Sequence, residues 1–364
     1  MDETDYSKRT KLVYEAAACI SDSYITTTEQ DTIDRQNKLG MTKKEMESLF
    51  SKYTLYKESV MTEIMPVYND YIHMERYFQV IEIDNLMGTI ACFLTYFVDD
   101  IASLKGDQVS LDKLINKSIS SLLHNHVSQS KDSEIDIQDL TTLLNYLEQV
   151  NFNDKTKLLL INLYNNRYEV LEELSKLLEQ CVPILKKNFY IIEDDFNKAI
   201  DSVSTDDSLN TFINKTLGIN VDIPDNAEFY FSIFNFNQMS MMDFYDHRVV
   251  SYIGIYLEDL VKLSEENKFN DAQILSDLKA IGDPTRLRII GLLANKKMYL
   301  QEIAETLDLT PSTISHHVQI LLNSMLISIT LDTVNSRKVY YKTNKKKVQD
   351  LGDSIKNLVS NKIF

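Results

Sequence analysis

Polar side chains that donate or accept hydrogen bonds cluster in the segment PSTISHHVQILL, residues 311–322. Apolar residues recur there at helical spacing and predict a buried stripe of Ile314, Val318, Leu321 and Leu322. The helix then directs its short or planar polar groups outward, and these are Ser312, Thr313, Ser315, His316 and Gln319. Such groups bond to base edges in the major groove of DNA or to nearby phosphates, which is the chemistry of a recognition helix. His317 lies one residue further round this helix, where contact with DNA and packing inside the domain both stay open.

Two earlier helices are predicted to hold this helix in place. Asp283 followed by Pro284 is a typical helix start, with a capping side chain before a proline in the first turn. A short helix follows over residues 301–307, and a three-residue joint, 308–310, separates it from the helix that begins at Pro311. This arrangement predicts a helix-turn-helix.

A hairpin is predicted after the recognition helix. Apolar residues alternate along residues 327–331 and again along 339–341, with Asn335 and Ser336 between the two runs. Arg337 and Lys338 lie beside this tip, where cationic side chains reach the sugar-phosphate backbone. The hairpin is therefore interpreted as a wing.

These motifs, taken in order, resemble the ArsR-type winged helix repressors. The resemblance rests on DPTRLRIIGLL (residues 283–293), LQEIAETLDLTPSTISHHVQIL (300–321) and SRKVYY (336–341), and it covers the last quarter of the chain. It implies a homodimer that binds an inverted-repeat operator in double-stranded DNA and leaves it when an effector changes its shape. Carried over by position, it assigns the contacts with DNA to Ser312, Thr313, Ser315, His316, Gln319 and Arg337. Lys338 joins this predicted set as the second cation beside the hairpin tip.

The chain departs from the metal-sensing members of that family. Those members carry paired cysteines at the start of the first helix of the motif, where this chain has Leu300, Gln301, Glu302 and Ile303. Others use histidines of the last helix, but residues 345–364 contain none. We therefore expect no metal and no cofactor.

The last segment predicts a helix with one apolar side, formed by Val348, Leu351, Ile355, Leu358 and Val359. The family resemblance favours pairing of this side with a second copy of the chain. Packing within the same subunit is the alternative. A dimer would hold its recognition helices roughly 34 to 36 Å apart, one turn of DNA.

Before residue 271 the sequence predicts a mostly α-helical domain. The chain of 364 residues is 44% hydrophobic and has only 8 glycines and 5 prolines, which favours helices over sandwiches and barrels. Helical periodicity covers residues 41–59, 80–104, 140–149, 155–185 and 189–203. Near-alternation over 229–237 predicts a small β element, with which residues 248–260 could pair. The sequence therefore predicts two domains. Residues 1–270 form a domain for effector binding or dimerisation, with a possible sub-boundary near 205–226. Residues 271–364 form an α+β winged helix-turn-helix with a C-terminal helix.

The net charge of −16 divides unevenly between these two parts. Residues 271–364 hold 13 basic and 9 acidic residues, a net charge of +4, which leaves −20 for residues 1–270. DNA attracts the positively charged residues 271–364 and repels the negatively charged residues 1–270.

Other features point to a cytoplasmic protein that is not an enzyme. Cys19, Cys92 and Cys181 are dispersed and odd in number, which favours reduced thiols, and no signal peptide or span long enough for a bilayer is expected. The sequence lacks nucleotide-binding loops and the HExxH and GxSxG motifs. The pairs His124/His126 and Asp99/Asp100 are interpreted as surface and helix-end residues, not as a metal site or an acid/base pair. The aromatic residues of 229–256 fit core packing, with an effector pocket as the sharper alternative.

The sequence thus predicts a dimeric DNA-binding repressor whose N-terminal domain senses an effector. A protein-interaction scaffold and a helical enzyme fused to a DNA-targeting domain are the alternatives.

Overall fold

The structure is a computed structural model that describes residues 9–25, 41–83, 86–123, 135–204, 220–222, 227–243, 249–266, 271–332 and 338–360. The chain folds into two compact units. The first draws on Met1–Thr27, Glu47–Ser202 and Asn226–Leu257, and the second on Thr28–Met46, Val203–Asp225 and Glu258–Phe364. The second unit therefore includes segments that precede the predicted boundary at residues 270 and 271. The assignment of functions to the two parts stays a prediction.

Helices dominate the part of the chain before residue 205. They are α1 (Leu12–Asp22), α2 (Lys43–Leu49), α3 (Ser51–Asn69), α4 (Glu75–Phe78), α5 (Ile90–Thr95), α6 (Gln108–Leu123), α7 (Leu140–Gln149), α8 (Asp154–Asn165), α9 (Arg167–Asn188) and α10 (Glu193–Ser204). Short 3-10 turns occupy Ile72–Met74, Ile101–Lys105 and Phe189–Ile191. The mostly α fold class is confirmed.

Helix α1 forms the centre of the first unit, because it is buried on every side from Leu12 to Ser21. Three alanines and a cysteine, residues 16–19, let neighbouring helices approach its backbone closely. Helices α3, α5 and α9 pack against it.

Three helix predictions in this part are corrected. The helix predicted over 41–59 is interrupted at Phe50, where α2 ends and α3 begins. Residues 80–104 do not form one helix, because β1 (Ile81–Ile83) and β2 (Leu86–Gly88) pair as an antiparallel hairpin before α5 begins. The helix predicted over 155–185 is interrupted at Asn166, where α8 ends and α9 begins.

A small sheet completes the first unit. It consists of β4 (Glu228–Ser232), β5 (Met239–Asp243) and β6 (Val249–Gly254), in the order β4-β6-β5. Strand β6 pairs in parallel with β4 and antiparallel with β5. The predicted pairing of residues 229–237 with 248–260 is thus confirmed for β4 and β6, and β5 was not predicted.

The second unit contains the C-terminal helices and a four-stranded sheet. Its elements are β3 (Asn220–Asp222), α11 (Leu257–Glu266), α12 (Asp271–Ile281), α13 (Pro284–Asn295), β7 (Met298–Tyr299), α14 (Leu300–Leu307), α15 (Pro311–Asn323), β8 (Ile327–Asp332), β9 (Lys338–Thr343) and α16 (Lys345–Ser360). One core, which includes Ile289, Ile303, Ile314, Val318 and Leu326, joins α12 to α16. The α+β winged helix-turn-helix is confirmed.

The sheet of the second unit has the order β3-β8-β9-β7. Strands β8 and β9 form the predicted hairpin, and β7 pairs with the base of β9. Strand β3 pairs in parallel with β8, so that Val221 faces Leu331 in the register. A segment that lies between α10 and β4 in the chain thus supplies an edge strand to the wing.

Candidate nucleic-acid interface

The helix-turn-helix is positioned by side chains that cap its helices. Asp283 accepts hydrogen bonds from the backbone N–H groups of Thr285 (2.8 Å) and Arg286 (3.0 Å), with Pro284 in the first turn of α13. Helix α14 ends at Asp308, which has a left-handed φ of 55°. Thr310 then caps α15 by accepting from the N–H of Thr313 at 3.2 Å. The short turn therefore fixes the direction in which α15 leaves α14.

Helix α15 has the two faces that its sequence predicts. Ile314, Val318 and Leu321 are buried in the core of the unit. On the opposite side Ser312, Thr313 and His316 are exposed, and Ser315 and Gln319 are half-buried. Gln319 Nε2 donates to Asn323 Oδ1 at 3.0 Å, which orients its amide along the helix. All five predicted contact residues therefore lie on one accessible, uncharged polar strip, which we call the α15 strip.

His317 points away from the α15 strip. Its side chain is 15% exposed, and its Nδ1 lies 3.7 Å from Asp283 Oδ1. The pKa of Asp283 is lowered, chiefly by the hydrogen bond from the backbone N–H of Arg286 and to a lesser extent by the nearby His317 ring. Of the two roles left open for His317, its burial and this contact favour packing within the domain.

The wing is attached firmly at its base. Thr343 Oγ1 is buried and donates to the backbone oxygen of Ile290 in α13 at 2.7 Å. The rings of Tyr299 and Tyr340 meet edge to face across β7 and β9, with centroids 6.1 Å apart. At the other end, Lys338 is the first residue of β9 and pairs in the register with Asp332. Arg337 lies outside the described residues.

The predicted dimer residues of α16 divide into two groups. Val348 and Leu351 pack against the core of their own unit, and Leu351 is only 5% exposed. Packing within the subunit, the alternative left open, accounts for these two residues. Ile355 is exposed, and the side chains of Leu358 and Val359 lie outside the described part of the chain.

Helix α12 presents apolar residues that sequence reasoning missed. Leu275 is 54% exposed and Leu278 is 41% exposed, although Ile274 and Ala280 on the same helix are buried. The sequence did hold a signal for these exposed residues, because the segment ILSDLKAI (274–281) has more apolar residues than one buried helix face can hold.

Asp99 and Asp100, two of the other residues named in the sequence, both accept hydrogen bonds from nearby groups. Lys11 Nζ donates to Asp99 at 2.7 Å, and Asp100 caps a 3-10 turn through the N–H of Ser103. The cysteines are free thiols, and His124 and His126 fall outside the described residues. Within the described ranges, no group of three or more His, Cys, Asp and Glu residues is placed to hold a metal ion. No helix in the same ranges is both long and apolar enough to cross a membrane.

Comparison with known proteins places the motif in a family. The family model described as bacterial regulatory protein, arsR family, matches residues 283–328, from the start of α13 to the first part of β8. The transcriptional repressor SdpR of Bacillus subtilis is 39% identical over 72 residues, which are 20% of this chain and 77% of SdpR. No solved structure matched the chain. The second unit thus carries the DNA-binding domain of a transcriptional regulator, and the chain belongs to the ArsR family of bacterial regulatory proteins.

Proposed function

We propose that this regulator is a cytoplasmic, dimeric transcriptional repressor that binds an inverted-repeat operator and takes its input through the first unit. In this proposal the protein has no catalytic role. The relative SdpR is a transcriptional repressor by name, which supports repression over activation.

The observation that carries the proposal is the α15 strip. Its residues are accessible while the opposite face of the helix is buried, as insertion into a major groove requires. Hydroxyl, amide and imidazole groups can read base edges without the strong phosphate attraction of lysine and arginine. The net charge of +4 over residues 271–364 supplies the attraction to DNA, with Arg337 and Lys338 at the wing.

The dimer is supported by apolar surface on the second unit. Leu275, Leu278 and Ile355 are exposed on the two helices that flank the core, and exposed apolar groups of this size need a cover. A second copy of the chain covers them most simply, because two-fold symmetry also gives the two recognition helices that an inverted repeat requires.

The experiment is a fluorescence anisotropy titration of the full chain with the duplex upstream of its own gene, repeated with an unrelated duplex. His316→Ala and Gln319→Ala should each weaken specific binding by about 5- to 150-fold, since one base contact contributes about 1 to 3 kcal/mol. Binding of the unrelated duplex should change little. Arg337→Ala should weaken both and flatten the salt dependence, because it removes a phosphate contact.

A matched control is Gln301→Ala, since this exposed residue belongs to α14 and not to the α15 strip. If His316→Ala and Gln319→Ala leave specific binding at the wild-type level, the placement of α15 in the groove is wrong. If the full chain binds neither duplex but captures a protein partner through this unit, the interaction scaffold replaces the repressor.

A further inference from the structure

A carboxylate lies in the interior of the first unit without a cationic partner among the described residues. Glu15 of α1 is 1% exposed. Its Oε2 accepts hydrogen bonds from the backbone N–H groups of Ile233 (2.9 Å) and Phe234 (3.1 Å), which begin the loop between β4 and β5. The side chain of Ser232 lies near this carboxylate and lowers its pKa. Its second oxygen, Oε1, is buried and has no hydrogen-bond partner in the described part of the chain.

The described groups that face Glu15 do not supply a positive charge. The titratable ones are Tyr14 and Cys19 on α1, Cys92 at the start of α5 and Tyr252 on β6. Lys11, one turn before Glu15, instead forms an ion pair with Asp99 and lies 4.5 Å from the centre of the Tyr230 ring. Burial raises the pKa of Glu15 to about 7, although its hydrogen bonds oppose the shift.

The loop that Glu15 holds, residues 233–238, touches several elements of the first unit. Asn235 donates from its side chain to the Tyr14 hydroxyl. Phe236 stacks on Tyr53 of α3, with ring centroids 4.4 Å apart. At the end of β6, the N–H of Gly254 donates to the backbone oxygen of Gln238 at 2.9 Å. A change in this loop therefore reaches α1, α3 and the sheet together.

We propose that the protonation state of Glu15 sets the conformation of the 233–238 loop, so that the first unit responds to pH. Protonated Glu15 is neutral and stays buried beneath the closed loop. Ionised Glu15 favours an open loop in which water solvates the carboxylate. The response of the loop is a property of the first unit alone, and its use as the input of the repressor rests on the proposed function.

The expected size follows from linkage between the two conformations. In the open loop Glu15 recovers the ordinary pKa of a glutamate, about 4.5, whereas in the closed loop it titrates at about 7. Closure therefore binds a proton, and a rise in pH shifts the equilibrium towards the open loop. Between about pH 6 and about pH 8 the shift is about tenfold, and it levels off at higher pH.

Hydrogen exchange followed by mass spectrometry on the full chain tests this proposal. After correction for intrinsic exchange, the protection of peptides covering residues 233–238 should fall about tenfold between about pH 6 and about pH 8. Glu15→Gln should abolish this dependence, and Glu148→Gln, a change at an exposed glutamate of α7, should keep it. Equal slopes in wild type and Glu15→Gln, or no slope in the wild type, would overturn the proposal.

A second variant covers the case in which Glu15→Gln does not fold. Ser232→Ala removes a side chain that lowers the pKa of Glu15, which should raise this pKa further and move the loss of protection to higher pH. A midpoint that stays in place or moves to lower pH contradicts the proposal.

Anisotropy titrations with the operator duplex separate this proposal from the repressor function. If wild type and Glu15→Gln bind with the same pH dependence while their loops exchange as expected, the loop response stands and its use as the repressor input is wrong. If the wild type does not bind the duplex at all, the proposed function fails, and the exchange data still decide the role of Glu15.

Discussion

The ion pair between Asp277 and Lys347 should stabilise the second unit more than the exposed ion pair on its last helix does. Lys347 Nζ lies 2.7 Å from Asp277 Oδ2 and joins α16 to α12. The side chains of Asp277 and Lys347 are 2% and 11% exposed, so both charges have lost most of their water. Removal of Asp277 leaves the ammonium group of Lys347 buried without this partner, which typically destabilises a protein by about 3 to 5 kcal/mol. We expect about 3 kcal/mol for Asp277→Ala, because the long side chain of Lys347 can partly reach solvent.

Native-state hydrogen exchange at the amides of α13 measures this effect, because the buried residues Ile289 and Ile290 report opening of the whole unit. Asp277→Ala and Lys347→Met are compared singly and together. The double variant should be at least about 2 kcal/mol more stable than the sum of the single effects predicts, since it also removes the buried lysine that Asp277→Ala leaves without its carboxylate.

Asp353 and Lys356 provide the control, because this pair on the same helix is 3.0 Å long but its side chains are 65% and 77% exposed. Its coupling should stay below about 0.5 kcal/mol. The reasoning is refuted if Asp277→Ala changes the opening free energy by less than about 1 kcal/mol, or if the two single effects simply add.

Three further predictions concern other parts of the chain. Leu275→Asp should shift the protein towards monomer in sedimentation and weaken operator binding, whereas Leu158→Asp, at an exposed leucine of the first unit, should do neither. Only one of the two variants Asn220→Pro and Val221→Pro should speed amide exchange in β8. Successive N–H groups of the edge strand β3 point to opposite sides, so that only one of the two prolines removes a group that points towards β8. Equal effects of the two variants would contradict the pairing of β3 with β8. Burial raises the pKa of Glu15 in the folded state, so its contribution to stability is full below about pH 4.5 and is lost as the pH rises through about 7. The lost stability amounts to about 3 kcal/mol. A series of thermal unfolding measurements across this pH range should show the loss in the wild type and not in Glu15→Gln.

The recognition helix was predictable because its signals are local. Thr310 and Pro311 mark its start, and the spacing of Ile314 and Val318 fixes which side is buried. Once that side is known, the position of His316 on the opposite side follows from helix geometry alone. The contact between His317 and Asp283 was not predictable, because it depends on how α15 and α13 cross.

The pairing of β3 with β8 was hidden from the sequence for a different reason. Three residues, Asn220–Asp222, are too few for a strand pattern, and the partner strand lies more than a hundred residues later in the chain. The hairpin of β1 and β2 did leave a signal, since Ile81 and Ile83 alternate before an Asp-Asn dipeptide. The long apolar run that follows this dipeptide concealed it by fitting helical spacing as well.

The surface proposed for the dimer shows what apolar periodicity cannot decide. Apolar periodicity predicts that a side chain is buried, but it does not say whether its own subunit or a partner covers that side chain. Leu351 and Ile355 share one side of α16, yet only Leu351 is buried in the core of its own unit. Helix α12 is more informative, because Ile274 and Ala280 already supply the face that packs inside while Leu275 and Leu278 remain in solvent. A helix with apolar residues on two sides needs two covers, and the residues that the structure describes provide only one of them. For that reason α12, joined to α16 by a buried ion pair, is the stronger candidate for the centre of the proposed dimer.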